Sequence, residues 1–179
     1  VSEYTRVSDV DPTGWTLKHP FNGAEFGEGF WDHEVPMLAG DHVTDDAGTG
    51  FVHTAPAHGD DDYIVFLNSG RTAKEIRDIV DPEGAYRPDV PRFAGLDIIR
   101  TSGKKRGQDG KAGPEVLKAL TEVGALLGRG MTTLRDAHSW RSKAPVIRRA
   151  TPQWFIAMDK ADRDGKSLRD KALAGIDQT

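Results

Sequence analysis

GTGFVHTAPAHGDDDY, residues 48–63, is the stretch whose reading decides the rest of this chain. It opens on Gly48-Thr49-Gly50 and passes through a short apolar pair, Phe51 and Val52. The pattern predicts a strand over Gly48–Ala55 that runs into a loop broken by Pro56. Asp60, Asp61 and Asp62 then suit the start of a helix through Tyr63–Asn68, ended near Gly70, because carboxylates favour a helix N-terminus. A strand that delivers polar groups to the mouth of a loop is where binding and catalysis concentrate.

Outward from that stretch the chain reads as an α+β domain. Residues 1–47 are rich in Gly, Pro and aromatics, with short runs such as Glu34–Leu38, so strands and turns are expected there. Asp81-Pro82-Glu83-Gly84 reads as a turn between strands. The clearest helix is Pro114–Leu127, with Val116, Leu120, Val123 and Leu127 on one apolar stripe and Gly128 as its stop. Arg129–Leu134 reads as a strand, and residues 161–175 as a more polar helix. The Gly- and Lys-rich segment Thr101–Gly113 reads as a flexible surface loop.

Composition narrows the function classes. The 179 residues carry 29% charged and 37% apolar side chains with a net charge of −4, so no global basic field points to nucleic acid, although a local patch is compatible with it. There is no cysteine, which excludes disulfides and thiolate metal sites and fits a reducing compartment. No apolar run reaches membrane-spanning length. The chain begins at Val1 without Met and stops at Thr179 inside a helix-like stretch, so a piece of a longer protein is expected.

Several chemistries compete for the central stretch. His53, His58 and the three aspartates offer nitrogen and oxygen ligands, as a metal-dependent hydrolase would need. Pro56 between the histidines denies them both helical i, i+4 spacing and alternation along a strand. Gly48-Thr49-Gly50 could let a ligand approach the backbone, but no Gly-Lys-Ser/Thr follows, so it is no nucleotide P-loop. An aspartate in a pocket can hold an ammonium group, and at most one or two of three consecutive aspartates can face the same pocket. Downstream, Ser139-Trp140-Arg141 and Arg148–Phe155 mix basic and aromatic residues, as RNA-binding modules do, and Lys104, Lys105, Arg106 and Lys111 could touch phosphates.

Together these residues resemble a family. GTGFVHTAPAHGDDDY is similar to the signature of the editing domain inserted in class I aminoacyl-tRNA synthetases for branched aliphatic amino acids. SWRSKAPVIRRATPQWF, residues 139–155, resembles the segment that returns from that insertion to the catalytic Rossmann domain. Phe93–Asp97 and Gly124-Ala125-Leu126 fit in order, so the resemblance covers most of residues 1–160. His53 followed by Thr54, with Gln153 and Phe155, resembles the isoleucyl, bacterial form, where the valyl relative tends to carry lysine and the leucyl relative methionine at the position of His53.

The resemblance implies a β-barrel-like editing domain over 1–135 with short strands and a few peripheral helices, and a return segment over 136–179. It implies hydrolysis of valine mischarged onto tRNA(Ile), with Asp62 binding the substrate's ammonium group and His53 lining the pocket. Gly48, Thr49 and Gly50 would form the backbone turn close to the terminal adenosine, Thr54 would join the substrate-binding residues, and His53 and Asp62 are the expected catalytic pair. Expected partners are the tRNA(Ile) acceptor end and a valyl or isoleucyl group, in a cytoplasmic monomer without membrane contact. No metal or cofactor is expected in this piece, ATP and magnesium belonging to the parent's catalytic domain. A valyl or leucyl editing domain is the alternative within the family. The family's threonine-rich segment with Pro-Trp-Thr is absent from the sequence and is expected upstream of Val1, and the 101–113 loop is longer than the resemblance suggests.

Overall fold

The structure, a computed structural model, describes residues 11–44, 49–131, 133 and 135–178. Its regular elements are few: strands β1 (Thr16–Lys18) and β2 (Glu34–Pro36), and helices α1 (Asp60–Asn68), α2 (Ala112–Glu122) and α3 (Leu168–Ile176). Single 3-10 turns lie at Glu25–Gly27 and Ala73–Glu75. β1 and β2 pair antiparallel, Thr16 with Pro36, Leu17 with Val35 and Lys18 with Glu34. The α+β class therefore holds. The described residues close no barrel: this one two-stranded sheet is accompanied by isolated bridges such as Val80–Tyr86, Ala85–Asp97 and Ile99–Asp109.

The fold is centred on an aromatic cluster rather than on a sheet. Phe21, Trp31, Val90, Phe93 and Ala119 are buried, and Phe26, Phe30, Ile79, Tyr86, Leu96, Val116 and Leu120 pack around them. Phe93 meets Trp31 and Phe26 edge-on, at ring-centre distances of 6.1 and 6.3 Å, and Tyr86 at 5.6 Å. Such offset and edge-on pairs place the positive ring edge on the negative ring face. Gly27 is required beside Trp31, since a Cβ there would come within 2.8 Å of the indole.

Arg92, next to Phe93, ties α2 to this cluster. Its guanidinium bonds Glu115 at 2.9 Å, pairs with Glu122, and lies 4.7 Å above the Phe26 ring centre. The hydrogen bond to Glu122 raises the Arg92 pKa further and lowers that of Glu122. Arg92 holds this position at φ 68, a left-handed conformation unfavourable for a residue with a Cβ. Asp97 supports the start of α2, its carboxylate accepting from the Lys111 N–H at 3.2 Å and its carbonyl from Ala112 at 3.1 Å.

Several local expectations change. α1 spans the predicted residues, with the three aspartates in its first turn. α2 starts at Ala112 and ends at Glu122, five residues before Leu127, because Gly124 takes φ 71 and halts it ahead of Gly128. Val116 and Leu120 pack on the core as the stripe predicts, but Leu127 is fully exposed. Residues 49–55 form no strand, Phe51 and Val52 standing more than half exposed, and the described residues of 129–134 form none either. The 101–113 segment is tied rather than loose: Arg100 and Gln108 are bonded, Gly107 donates to Arg100, and Ala112 and Gly113 belong to α2. Gly110 lies so close to Asp97 that a Cβ would sit 1.8 Å from its carbonyl oxygen, so the loop can close only through glycine. α3 is shorter than predicted and begins at a capping box between Ser167 and Asp170.

His19 couples this core to solvent. Its ring stacks on Trp31 at 4.7 Å and accepts from the Phe21 N–H through Nδ1 at 3.1 Å. Burial, with the nearby His33, Arg77 and His53, pulls its pKa from the ordinary 6.5 to about 4. The folded chain thus binds fewer protons than the unfolded one in that window, so stability falls as pH drops from about 6.5 towards 4. His19→Asn keeps an acceptor for Phe21 but cannot titrate. Urea midpoints measured at pH 7 and pH 5 are expected to differ less in that variant than in the parent sequence, and equal declines would contradict the assignment.

Candidate functional site

The 49–63 stretch folds as a turn, a loop and a helix start, each fixed locally. Thr49 and Phe51 form a side-chain turn, the Thr49 hydroxyl accepting from the Phe51 N–H at 3.3 Å. Gly50 takes φ 72 at its centre, a conformation glycine adopts without cost. Gly48 lies outside the described residues. Further on, the Ala55 carbonyl accepts from the N–H groups of His58 at 2.8 Å and Gly59 at 2.9 Å, turning the chain into α1.

Asp62 closes that loop. Its Oδ2 accepts from the Ala55 N–H at 3.0 Å across seven residues, from the first turn of α1. Gly59 makes room for it, since a Cβ there would lie 2.3 Å from the same oxygen. Asp62 is half-buried while Asp60 and Asp61 are exposed, so one of the three carboxylates turns inward. One of its oxygens is fixed by the backbone, and among the described residues the other makes no hydrogen bond. A carboxylate held so is oriented in advance for a cationic group.

His53 and Thr54 precede this loop, His53 exposed and Thr54 half-buried. The described contacts include no bond between His53 and Asp62. His53 instead lies within Coulombic range of His19. His19 and His33 have ring centres 5.4 Å apart, and Arg77 donates to His33 Nδ1 at 2.6 Å and to the Phe30 carbonyl at 2.9 Å. Burial and then Arg77 push His33 below its ordinary pKa. The largely neutral His19 imidazole, itself beside His33, is thus the member of this group that His53 senses. Sequence reasoning missed this neighbourhood because residues 19, 33 and 77 are far apart in the chain.

Sequence reasoning also left His58 and Asp60 without a task. Both fasten the loop to residues 148–150. His58 Nδ1 meets the Arg148 carbonyl at 2.7 Å, Asp60 pairs with the Arg148 guanidinium at 3.0 Å, and Ala150 donates to the Ala57 carbonyl at 2.7 Å. The ion pair is exposed and weak on its own, whereas the two bonds to backbone fix the spacing. Arg149 beside it donates to Asp78 at 2.7 Å from a more buried position. Among the described residues no three of His, Asp and Glu converge to hold a metal ion.

No protein-family model matches the chain. It is 54% identical over 181 residues to the isoleucine–tRNA ligase of Caulobacter vibrioides, an alignment covering 100% of the chain and 18% of the relative. The isoleucine–tRNA ligase of Ruegeria pomeroyi is 43% identical over 98% of the chain and 18% of its own length. That of Rhodopseudomonas palustris is 44% identical over 100% of the chain and 19% of its own length. The family is thus one of aminoacyl-tRNA ligases. Within that class the chain belongs to the isoleucine–tRNA ligases, and it spans about 18% of the length of the curated relatives it matches.

His58→Ala removes one of the bonds between the loop and residues 148–150, a loss of about 1 kcal/mol. Hydrogen exchange at Ala150 and across Ala57–Asp62 is expected to accelerate about fivefold, with α2 unchanged. Unaltered protection at Ala150 would show that His58 does not hold the two segments together.

Proposed function

We propose that this chain is the editing portion of an isoleucine–tRNA ligase, removing valine wrongly attached to tRNA(Ile) by ester hydrolysis. Residues 1–135 would form the editing domain and 136–179 its return towards the catalytic body. The ligase would join isoleucine to tRNA with ATP and magnesium in that body, in the cytoplasm. The observation that carries the reading is the fixed, half-buried Asp62 carboxylate at the mouth of the 49–63 loop, with one oxygen held by Ala55. The chain's relationship to isoleucine–tRNA ligases supports the parent ligase and its tRNA substrate, and the hydrolytic step is this reading's own.

The need for such a site is energetic. Isoleucine and valine differ by one methylene, which a pocket discriminates by only about 1–3 kcal/mol, and isoleucyl enzymes are themselves the known instance of this limit. A second site must then hydrolyse the wrong product. In this reading Asp62 takes the α-ammonium group of the valyl ester through its free oxygen. The Thr49-Gly50 turn, with Gly48, lets the terminal adenosine approach the backbone, and Thr54 lines the floor. The attacking group is water, so no nucleophilic serine or cysteine is required. His53, exposed at the edge, orients that water or a ribose hydroxyl, with general-base action as its strongest form. Holding the ester and placing the water are the two contributions the residues offer.

In the full-length ligase, Asp62→Ala is expected to slow deacylation of valyl-tRNA(Ile) by about tenfold or more, the loss of one charge-assisted anchor, while aminoacylation with isoleucine persists. Unchanged deacylation would remove Asp62 from the role. The chain by itself is expected to deacylate valyl-tRNA(Ile) weakly or not at all, because a threonine-rich wall is missing from its sequence. Rapid hydrolysis by the isolated chain, measured as release of labelled valine, would overturn that expectation.

A further inference from the structure

Away from the 49–63 loop, the turn at 82–84, the loop at 99–107 and the segment 144–149 enclose an open cavity of about 270 Å³. Three arginines, Arg100, Arg106 and Arg149, line it together with the apolar side chains of Ile99 and Ile147 and a single carboxylate, Glu83. The three cations are in different states. Arg149 is anchored through Nη2 to Asp78, yet its Nε–H is buried without a partner. Arg100 is oriented by donating from Nε to the Asp109 carbonyl at 3.2 Å. The Arg106 guanidinium has no hydrogen-bond or ion-pair partner among the described residues, and its side chain is exposed.

Guanidinium groups do not lose their charge in proteins, so the three arginines keep a cationic excess over Glu83 and the Asp78 that pairs with Arg149. A buried N–H donor without an acceptor is unfavourable, so the Arg149 guanidinium is not fully satisfied by Asp78. The cavity is slightly smaller than the roughly 300–1,000 Å³ of sites for drug-sized ligands, which favours a compact group. Planar guanidinium donors match the oxygens of phosphate, and the isoleucine side chains offer an apolar bed for an attached sugar.

We propose that this cavity is a phosphate-binding site occupied by a backbone phosphodiester of RNA. The inference does not depend on the editing reading, since none of its residues belongs to the Asp62 loop. The same phosphate chemistry could be presented by a free nucleotide, so the experiment separates the two sources.

Binding of a labelled short single-stranded RNA to the chain is followed by fluorescence anisotropy at several salt concentrations, with ATP and inorganic phosphate as competitors. Arg106→Gln is expected to weaken RNA binding about tenfold and to reduce the slope of log K against log salt by about 0.7, one single-strand phosphate contact. Glu83→Gln is expected to tighten binding, a gain that damage to the fold would not produce. Lys104→Gln, outside the cavity, serves as the control and should lose less than Arg106→Gln. ATP or inorganic phosphate binding that depends on Arg106, without such dependence for RNA, would overturn the RNA assignment. Binding of all three ligands that ignores both Arg106 and Glu83, or no binding at all, would overturn the site itself. Deacylation by the full-length ligase and its Asp62→Ala variant reads the editing proposal separately.

Discussion

Phe93 is the point on which the described fold is assembled. With so little regular strand, the chain cannot rely on a sheet to organise its core, and long stretches must be held by side chains instead. Phe93 packs with aromatic rings drawn from residues 21–31 and from residue 86, while its neighbour Arg92 reaches to both ends of α2. Burial supplies the larger share of the energy, because burying a large apolar side chain is worth about 1.5–3 kcal/mol. The Arg92 pairs contribute direction: one guanidinium reaching Glu115 and Glu122 admits only one placement of the helix against the cluster. The left-handed backbone at Arg92 is tolerable only because these contacts over-determine it.

The same cluster reaches towards the candidate site through His19. One face of that ring lies on Trp31, which makes it part of the packing, and its other neighbours are His33, Arg77 and His53. A ring in that position is cheaper to keep neutral than charged, for burial and all three of these neighbours act in the same direction. The loop is held from the opposite side by backbone. His58 and Ala150 link it to residues 148–150, so the 57–62 turn is restrained at both ends while His53 stays at the exposed edge. A site of this type keeps its carboxylate fixed and leaves its approach open.

Legibility in the sequence followed the range of the interactions involved. α1 was readable because its signals are local: the aspartates in its first turn, the break at Pro56 and the stop near Gly70 all lie within a few residues. Asp62 as the inward carboxylate emerged from resemblance, and its bond to Ala55 gives a local geometric reason for it. The errors came where a local pattern was overruled by what lay beside it. Val123 and Leu127 continue a helical stripe in sequence, but the core ends at Leu120, and Gly124 turns the chain away. Phe51 and Val52 look like a strand interior, yet no neighbouring strand among the described residues pairs with them. Glycine richness suggested mobility in 101–113, where Gly110 in fact permits a close backbone approach.

The division of labour among the three aspartates follows from helix geometry. Successive residues on an α-helix point about 100° apart, so carboxylates at 60, 61 and 62 cannot share one direction. All three gain from the positive end of α1, which explains their presence together without any ligand. Only the third position lets a side chain fold back over the N-terminus and reach the loop preceding the helix, and that is where Ala55 meets Asp62. Asp60, on another side, faces Arg148. Asp61 has neither contact and remains a solvated end-charge. A run that looks like a multidentate ligand set in sequence therefore resolves into one structural tether, one solvated charge and one oriented carboxylate, and chemistry at this loop has a single anionic centre on which to build.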